Sequence, residues 1–174
     1  MPAHEHFTDN DLIDAINQGD LASFEVLYDR YSGKVLKRCY FICLHLETAR
    51  DLMQEVWVKV FLHLHTFKKQ SAFSSWLYRL TTNHCLNYLK SKAHSEALAG
   101  DIPIDEPSQD NPAASIEVHH LLQKLSLEDR TILAMKFLGE YSYEEIAANC
   151  KIGVSAAKMR VSRLITRIRE EVKS

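Results

Sequence analysis

Glycine, proline and cysteine are all scarce in this chain, which has 174 residues but only five glycines, four prolines and four cysteines. The scarcity of glycine and proline leaves long stretches free to form helices, because these two residues are the strongest helix breakers. Four scattered cysteines are too few for a disulfide scaffold and agree with a reducing compartment. A content of 46% hydrophobic and 25% charged residues then indicates a helix-rich, soluble globular protein.

Long apolar runs are also missing, and no segment has the roughly 20 apolar residues that are needed to cross a bilayer. The first six residues, ending in His6, lack the basic start and apolar core of a secretory signal. The sequence therefore predicts a cytoplasmic protein without direct membrane insertion. Because it also lacks a phosphate-binding glycine loop, a nucleophile motif and a catalytic cluster, we expect no enzyme, no small-molecule substrate and no cofactor.

The formal net charge is only -2, but the charges are distributed unevenly along the chain. Residues 1–29 carry seven acids and no base, and residues 95–123 carry six acids and no base. Residues 68–92 carry five bases and no acid, and residues 154–174 carry six bases and two acids. Local patches rather than total charge decide whether a polyanion can dock. The two basic segments are therefore the places to look for nucleic-acid binding.

Three of the four prolines fall between Gly100 and Pro112, in a stretch without a helical period. We interpret residues 95–113 as a flexible acidic linker. On both sides of it apolar residues recur at helical spacing, and neither side alternates as a strand would. The expected fold class is all-α, with two small helical domains: residues 1–94, with about four helices, and residues 114–174, with a helix-turn-helix.

Two helices joined by a short turn are predicted near the end of the chain. Ser142 and Glu145 have the spacing of a capping box, which begins a helix, and we expect Ser155 to cap the next helix. Lys151 stands where such turns often have a glycine. Either Gly153 takes up the turn or Lys151 is mildly strained. This arrangement is typical of a helix-turn-helix.

The second of these helices, roughly residues 155–169, has one apolar face and one basic face. Its buried stripe is predicted to consist of Ala157, Val161, Leu164 and Ile168. On the other face, bases near the helix start suit base edges in the major groove, and later ones suit phosphates. The predicted duplex-binding residues are Ser155, Lys158, Arg160, Ser162, Arg163 and Arg167. The alternative is that these charges form only a solvated face.

A segment from Ala49 to Leu64 combines an apolar stripe with a polar opposite face. Asp51, Gln54 and Glu55 share the polar face, an arrangement suited to docking against a partner helix. A solvated face without a partner is the common alternative, so this pattern alone leaves the question open.

Aromatic, amide and basic side chains are interleaved between residues 68 and 92. Five of them advance by three or four residues and so share one helix face: Trp76, Arg79, Asn83, Asn87 and Lys90. The opposite, buried face is expected to hold Phe73, Leu77, Leu80, His84 and Tyr88. Unpaired bases stack on rings and bond to polar side chains, so the first face suits single-stranded nucleic acid. The alternative is that these aromatics belong to the core of a helical bundle.

Three motifs taken together resemble the extracytoplasmic-function (ECF) group of bacterial sigma factors. They lie at residues 51–57, 73–83 and 141–147, in the order and at the spacing of that family, and the resemblance covers nearly the whole chain except the linker. The resemblance implies a factor that binds RNA polymerase core and directs promoter-specific transcription initiation, in a stress or envelope response. It also implies an anti-sigma factor as a partner.

The resemblance further assigns roles to the segments. Asp51, Gln54 and Glu55 resemble the surface that binds the coiled coil of the largest polymerase subunits, and the helix-turn-helix would read the -35 element as duplex. The acidic linker would pass through the polymerase channel. The melted -10 strand would be captured by Lys68, Lys69, Ser71, Phe73, Trp76, Arg79, Asn83 and Asn87.

Departures from the family pattern and two alternatives accompany this interpretation: Arg50 stands where an acid is frequent, and residues 90–92 hold fewer arginines than usual. Trp57 stands where phenylalanine is commoner, and Ser162 occupies a position that varies within the family, so the promoter sequence does not transfer. A helix-turn-helix regulator that does not recruit polymerase is the first alternative. A metal or redox site at Cys39 and Cys43, near His45, is the second. We expect no metal there, because thiols among apolar neighbours act as small hydrophobes.

Overall fold

The computed structural model describes residues 7–96 and 116–173, without the side chains of residues 93–96 and 116–118. Within these ranges all regular structure is helical, which confirms the all-α fold class. The predicted linker, apart from its first two residues, lies outside the described residues. The N-terminal half contains α1 (Asp9–Asn17), α2 (Leu21–Cys43), α3 (Leu46–His63), a 3-10 turn (Leu64–Thr66) and α4 (Phe73–Glu96). The C-terminal half contains α5 (Ile116–Gln123), α6 (Leu127–Leu133), a π-helical turn (Ala134–Leu138), α7 (Tyr143–Cys150) and α8 (Val154–Lys173).

Helix ends in the N-terminal half are set by local side chains. Thr8 Oγ1 accepts a hydrogen bond from the backbone N–H of Asp11, whose carboxylate accepts from Thr8 N–H, so α1 begins in a capping box. Gly19 takes φ +99°, a conformation that costs glycine little, and Asp20 then caps α2. These features place α1 and α2 side by side around a shared apolar core.

The apolar stripe predicted on α3 is largely buried. Its buried members are Ala49, Leu52, Val56, Trp57, Val60 and Leu64. Phe61, which belongs to the same stripe, is 51% exposed and packs edge-on against Phe24. The 3.6-residue period therefore identifies the core face of α3 correctly, except that Phe61, at the edge of this face, is exposed.

The buried face of α4 differs from the prediction. Phe73 and Leu77 are buried as expected, whereas Leu80, His84 and Tyr88 are only half-buried. The side chains that fill the core instead are Tyr78, Thr81, Thr82, Cys85 and Leu86. The physical reason is that α4 packs against α2 and α3 of its own half and also against the π-helical turn of the C-terminal half. A helix packed on more than one side buries a wider face than a surface helix does.

In the C-terminal half, α7 and α8 pack as the helix-turn-helix pattern predicts. The capping box of Ser142 and Glu145 is present, and the stripe of Ala157, Val161 and Leu164 is buried, with Ile168 half-buried. Together these features confirm a capped α7 and the apolar face of α8.

Two details of the turn between α7 and α8 are resolved. Lys151 itself takes the left-handed conformation, with φ +54° and ψ +44°, and Gly153 is not left-handed. The prediction that Ser155 caps α8 is wrong. Because the Gly153 carbonyl accepts from Ala157 N–H at 2.9 Å, α8 begins at Val154 and Ser155 lies within its first turn.

These two serines provide a matched stability test. Ser142→Ala removes the hydroxyl that accepts from Glu145 N–H, and we expect it to lower the free energy of unfolding by about 1 kcal/mol. Ser155→Ala is the control, and its expected effect is within about 0.5 kcal/mol because Ser155 is exposed. Urea denaturation followed by far-UV circular dichroism measures both. Equal losses in the two variants would contradict the assignment of the caps.

None of the helices in the described part of the chain is long and apolar enough to cross a membrane.

Cys39 and Cys85 are fully buried, and Cys43 donates a hydrogen bond to the His45 carbonyl at 3.3 Å. Burial raises the pKa of the Cys43 thiol to about 11. Among the described residues no group of histidine, cysteine and acidic side chains is arranged to hold a metal ion. The thiols of Cys39 and Cys85 therefore pack as small apolar groups.

Candidate nucleic-acid and partner interfaces

The face predicted for single-stranded nucleic acid exists on α4. One open cavity of about 370 Å³ is lined on the α4 side by Trp76, Arg79, Asn83 and Asn87. Lys59 of α3 lines it from the other side. The predicted i, i+3 and i+4 spacing of these side chains therefore brings them together on one surface. Ring, guanidinium and amide groups are concentrated there, which is the chemistry that unpaired bases require.

The aromatic side chains at the start of α4 divide between core and surface. Phe73 is 2% exposed and packs with its ring centroid 5.5 Å from that of Tyr31 and 5.8 Å from that of Phe67. Trp76 is half-buried and rests on Phe67 and Phe73, with centroids 5.7 and 5.8 Å away. The structure thus places Trp76 at the surface and Phe73 beneath it.

The loop before α4 carries the other three residues predicted to contact the single strand. Lys68, Lys69 and Ser71 are all exposed. Lys69 takes φ +55°, and its Nζ lies 2.5 Å from Asp14 Oδ1 of α1. This ion pair connects the loop to α1.

The side chains predicted to contact polymerase lie together on α3. Asp51, Gln54 and Glu55 are exposed, and they share the helix surface with Val58 and Leu62, which are 59% and 57% exposed. Exposed apolar side chains beside polar ones are typical of protein interfaces. The structure therefore brings these three residues onto one accessible surface.

His84 connects α3 to the α4 face. Lys59 Nζ lies 2.8 Å from His84 Nδ1, and Glu55 Oε2 lies 2.7 Å from His84 Nε2. Because an ammonium group only donates hydrogen bonds, Nδ1 must accept and Nε2–H must donate to Glu55. His84, which the sequence placed in the core, instead links the two proposed surfaces.

The recognition helix α8 presents most of its predicted residues to solvent. Exposed residues are Ser155, Lys158, Ser162, Arg163 and Arg167. Arg160 differs, because its Nε donates to Asp129 Oδ1 at 2.8 Å and its Nη2 donates to Glu128 Oε2 at 3.0 Å. These hydrogen bonds, that from Glu128 first, raise the pKa of Arg160. Arg160 therefore fastens α8 to α6 in this structure.

A set of contacts between the two halves was missed by sequence reasoning. Glu140, Tyr141 and Glu145 of the C-terminal half meet Ser75, Arg79 and Asn83 on α4, and we refer to these six residues as the clasp. Ser75 Oγ donates to Glu140 Oε2 at 2.5 Å, Arg79 Nη1 donates to Glu145 Oε1 at 2.7 Å, and Tyr141 Oη donates to Asn83 Oδ1.

One sequence signal pointed toward the clasp. Residues 68–92 carry bases and no acid, so their partners must come from elsewhere in the chain or from another molecule. The sequence assigned Glu145 only to the capping box, but its carboxylate also pairs with α4. Its Oε2 accepts from Ser142 N–H in the cap, while its Oε1 accepts from Arg79 of α4. Tyr141 carried no signal of its own as a partner for α4.

Together, these features define a class of protein before any comparison. The described part of the chain is all-helical, with a helix-turn-helix in its C-terminal half and an aromatic and amide face in its N-terminal half. Residues 27–95 match the family Sigma-70 region 2, and residues 115–168 match the family Sigma-70, region 4. The chain therefore belongs to the sigma-70 family of RNA polymerase sigma factors, within its ECF group.

Curated relatives agree over almost the whole length. The chain is 27% identical to the ECF RNA polymerase sigma factor SigW of Bacillus subtilis (strain 168), with 92% of this chain and 95% of that protein covered. It is 28% identical to the ECF RNA polymerase sigma-E factor of Haemophilus influenzae, with 91% and 92% covered. The sigma factor family is not known as a family of enzymes.

Two solved structures share the fold. The sigma factor RpoE of Bartonella quintana, in complex with the anti-sigma factor NepR, superposes with a TM-score of 0.66 at 21% identity, covering 86% of this chain and 96% of that one. CnrH, in complex with the cytosolic domain of CnrY, has a TM-score of 0.59 at 20% identity, covering 95% and 97%. At identities of 20–21%, these similarities show the shared fold alone.

Proposed function

We propose that this chain binds bacterial RNA polymerase core and directs promoter-specific initiation. In this proposal α8 reads the -35 element as duplex, and α4 with the loop before it holds the melted -10 strand. The observation that supports it best is the cavity shared by Trp76, Arg79, Asn83 and Asn87, because a protein that reads only duplex has no use for such a surface. A role in a stress or envelope response, which the ECF group name implies, is part of the proposal.

Duplex reading is assigned to the exposed face of α8. Lys158 and Arg160 lie nearer the helix start and would face base edges, with Ser162 further along the same helix, while Arg163 and Arg167 would contact phosphates. Arg160 can take part without detaching α8 from α6. Its Nε would keep the bond to Asp129, and its Nη2 would exchange the exposed Glu128 for DNA, since a guanidinium has five N–H donors.

Single-strand reading is assigned to the loop and to α4. Lys68, Lys69 and Ser71 would follow the backbone, and Trp76 would stack with a base whose edge meets Asn83 or Asn87. Extruding a base costs a few kcal/mol, which stacking and hydrogen bonds would offset. Phe73, buried beneath Trp76, would act in this scheme by supporting the indole ring.

Polymerase binding is assigned to the exposed α3 surface of Asp51, Gln54 and Glu55, with Val58 and Leu62 adding apolar area. An anti-sigma factor is a further proposed partner. Its support is the fold shared with RpoE and CnrH, each of which was solved together with another protein.

The decisive experiment adds the purified chain to sigma-free bacterial core polymerase and a library of genomic fragments, and then maps the transcript starts. We expect initiation at a defined set of promoters that share two upstream elements at a fixed separation. If the chain binds DNA but not core polymerase, the helix-turn-helix regulator takes the place of this proposal.

Substitutions on α3 test the polymerase surface within the same assay. Asp51→Ala combined with Gln54→Ala is expected to weaken core binding about 5-fold to 50-fold, since truncating central interface residues often costs more than 1 kcal/mol each. The matched control removes an exposed acid and an exposed amide away from α3, Glu144→Ala with Gln18→Ala. Competition with a labelled sigma factor measures affinity. Equal losses in both pairs would remove this surface from the proposal.

A further inference from the structure

We propose that Lys59 of α3 is a further strand-contacting residue, which His84 of α4 holds in position for a phosphate of the single strand. This inference rests on the proposed function, because it concerns the cavity assigned there to the melted -10 strand. Trp76, Asn83 and Asn87 bring a ring and two amides to that cavity, and these groups suit bases. A strand also carries a negative charge at each phosphate, so a cation beside them would complete the site.

Lys59 supplies a cation from the α3 side of the cavity. Its side chain is exposed and lines the cavity, and its Nζ lies 2.8 Å from His84 Nδ1. Arg79, which lines the same cavity, already pairs with Glu145 at 2.7 Å. No acid in the described part of the chain forms an ion pair with Lys59. The charge of Lys59 is therefore available to a phosphate.

The position of His84 explains why Lys59 keeps this charge. Glu55 and Lys59 are four residues apart on α3, a spacing that commonly gives a direct ion pair on a helix surface. Here the imidazole of His84 lies between them, donating from Nε2 to Glu55 and accepting at Nδ1 from Lys59. A neutral imidazole has one donor and one acceptor, so it bonds to both side chains without adding charge. Two of the three N–H donors of Lys59 remain for another molecule.

His84 can also hold Lys59 in place before a strand arrives. The His84 side chain is only 12% exposed, so its ring is fixed by packing as well as by Glu55. A lysine has a flexible four-carbon stem, which loses rotamer freedom when its ammonium group makes a contact. A hydrogen bond that already restricts the stem lowers this cost at the moment of binding. His84 is thus a positioning residue, and Lys59 is the phosphate contact.

Glu55 connects this arrangement to the proposed polymerase surface. Its Oε2 accepts from His84, while its other carboxylate oxygen can accept from a polymerase side chain. The carboxylate that would meet polymerase therefore also orients the ring that holds Lys59. A test must consequently measure core binding and strand binding separately.

The first test removes the charge of Lys59. Lys59→Gln keeps most of the side-chain length, and the matched control is Lys37→Gln, at an exposed lysine of α2. Each variant is assembled with saturating core polymerase. Fluorescence anisotropy then gives its affinity, over a range of KCl concentrations, for a short labelled single-stranded DNA with the non-template -10 sequence of one mapped promoter. Competition with a labelled sigma factor measures core binding, and urea denaturation checks folding.

We expect Lys59→Gln to weaken binding of this DNA about 3-fold to 10-fold at low salt. The slope of log affinity against log salt should become shallower by about 0.7, the value for one phosphate contact with a single strand. Lys37→Gln should leave the slope unchanged, and Lys59→Arg, which keeps the charge, should retain it. An unchanged slope in Lys59→Gln would overturn the phosphate contact. A loss of core binding with an unchanged slope would place Lys59 on the polymerase surface instead.

The second test concerns the positioning role of His84. His84→Gln keeps one acceptor and one donor, and we expect affinity within about 2-fold of the unaltered chain. His84→Leu offers neither and leaves Glu55 free to pair directly with Lys59, so affinity should fall and the slope should become shallower. A space-filling role would leave the slope unchanged in both variants. In the Lys59→Gln background, His84→Leu should cause no further loss, and a further loss there would overturn the positioning role.

Failure of this inference is distinguishable from failure of the proposed function. If the unaltered chain binds core polymerase and opens promoters but Lys59→Gln behaves like Lys37→Gln, this inference alone fails. If the unaltered chain does not bind core polymerase, the proposed function fails, and the slopes for the same DNA are measured on the chain alone. A chain that binds neither core polymerase nor this DNA would overturn both.

Discussion

Replacing Trp76 by leucine and Asn87 by alanine is expected to abolish most promoter opening while leaving polymerase binding unchanged. Leucine keeps apolar contact with Phe67 and Phe73 but removes the indole on which a base would stack. Asn87 is exposed, and its loss leaves the Tyr141 hydrogen bond to Asn83 intact. Stacking contributes about 1–3 kcal/mol per base and a hydrogen bond about 1 kcal/mol, which together predict about a 30-fold to 1,000-fold decrease in open complex.

Permanganate reactivity of unpaired thymines measures the opening, and competition with a labelled sigma factor measures core binding. The matched control replaces an aromatic residue and an asparagine elsewhere, Phe137→Leu with Asn10→Ala, both at exposed positions. The control is expected to open promoters like the unaltered chain. If Trp76→Leu with Asn87→Ala opens promoters equally well, the α4 face has no role in strand capture. A parallel loss of core binding would instead indicate that the substitutions disturb the whole domain.

Local features of this fold were predictable from the sequence because their causes lie within a few residues. The capping box of Ser142 and Glu145 depends on residues three apart. The buried stripe from Ala157 to Leu164 depends on the helical period. The face that carries Trp76 and Asn87 follows the same rule. Each of these predictions is confirmed as geometry, although their roles with DNA remain proposals.

Contacts between distant segments were not predictable, since nothing in a helical period says which helix will pack against which. Arg160 reaches Asp129, 31 residues away, and Arg79 reaches Glu145, 66 residues away. The same limit explains the error on α4, where contact with a second partner buries Thr82 and leaves Tyr88 half-exposed. The prediction that Ser155 caps α8 failed for a smaller reason: α8 begins at Val154, two residues earlier than a cap at Ser155 requires.

Replacing Phe73 by alanine is expected to cost more stability than any other single change considered for this chain. The ring is 2% exposed and has three aromatic neighbours, Tyr31, Phe67 and Trp76, within 5.8 Å between centroids. Truncating such a ring leaves a cavity, and we expect the free energy of unfolding to fall by about 3–5 kcal/mol. Phe137→Ala, at a residue that is 53% exposed, is the control and should stay within about 0.5 kcal/mol.

A milder substitution at the same position tests whether Phe73 contacts DNA or supports Trp76. Phe73→Leu keeps most of the buried volume, so we expect a loss of less than about 1.5 kcal/mol and nearly full promoter opening. A supporting role requires only that an apolar side chain fill the space beneath Trp76, whereas a base contact would require the aromatic ring itself. If Phe73→Leu unfolds like the unaltered chain in urea yet fails to open promoters, the loop must rearrange to expose Phe73 to the strand. If it is stable and active, Phe73 serves by holding Trp76 at the surface of α4.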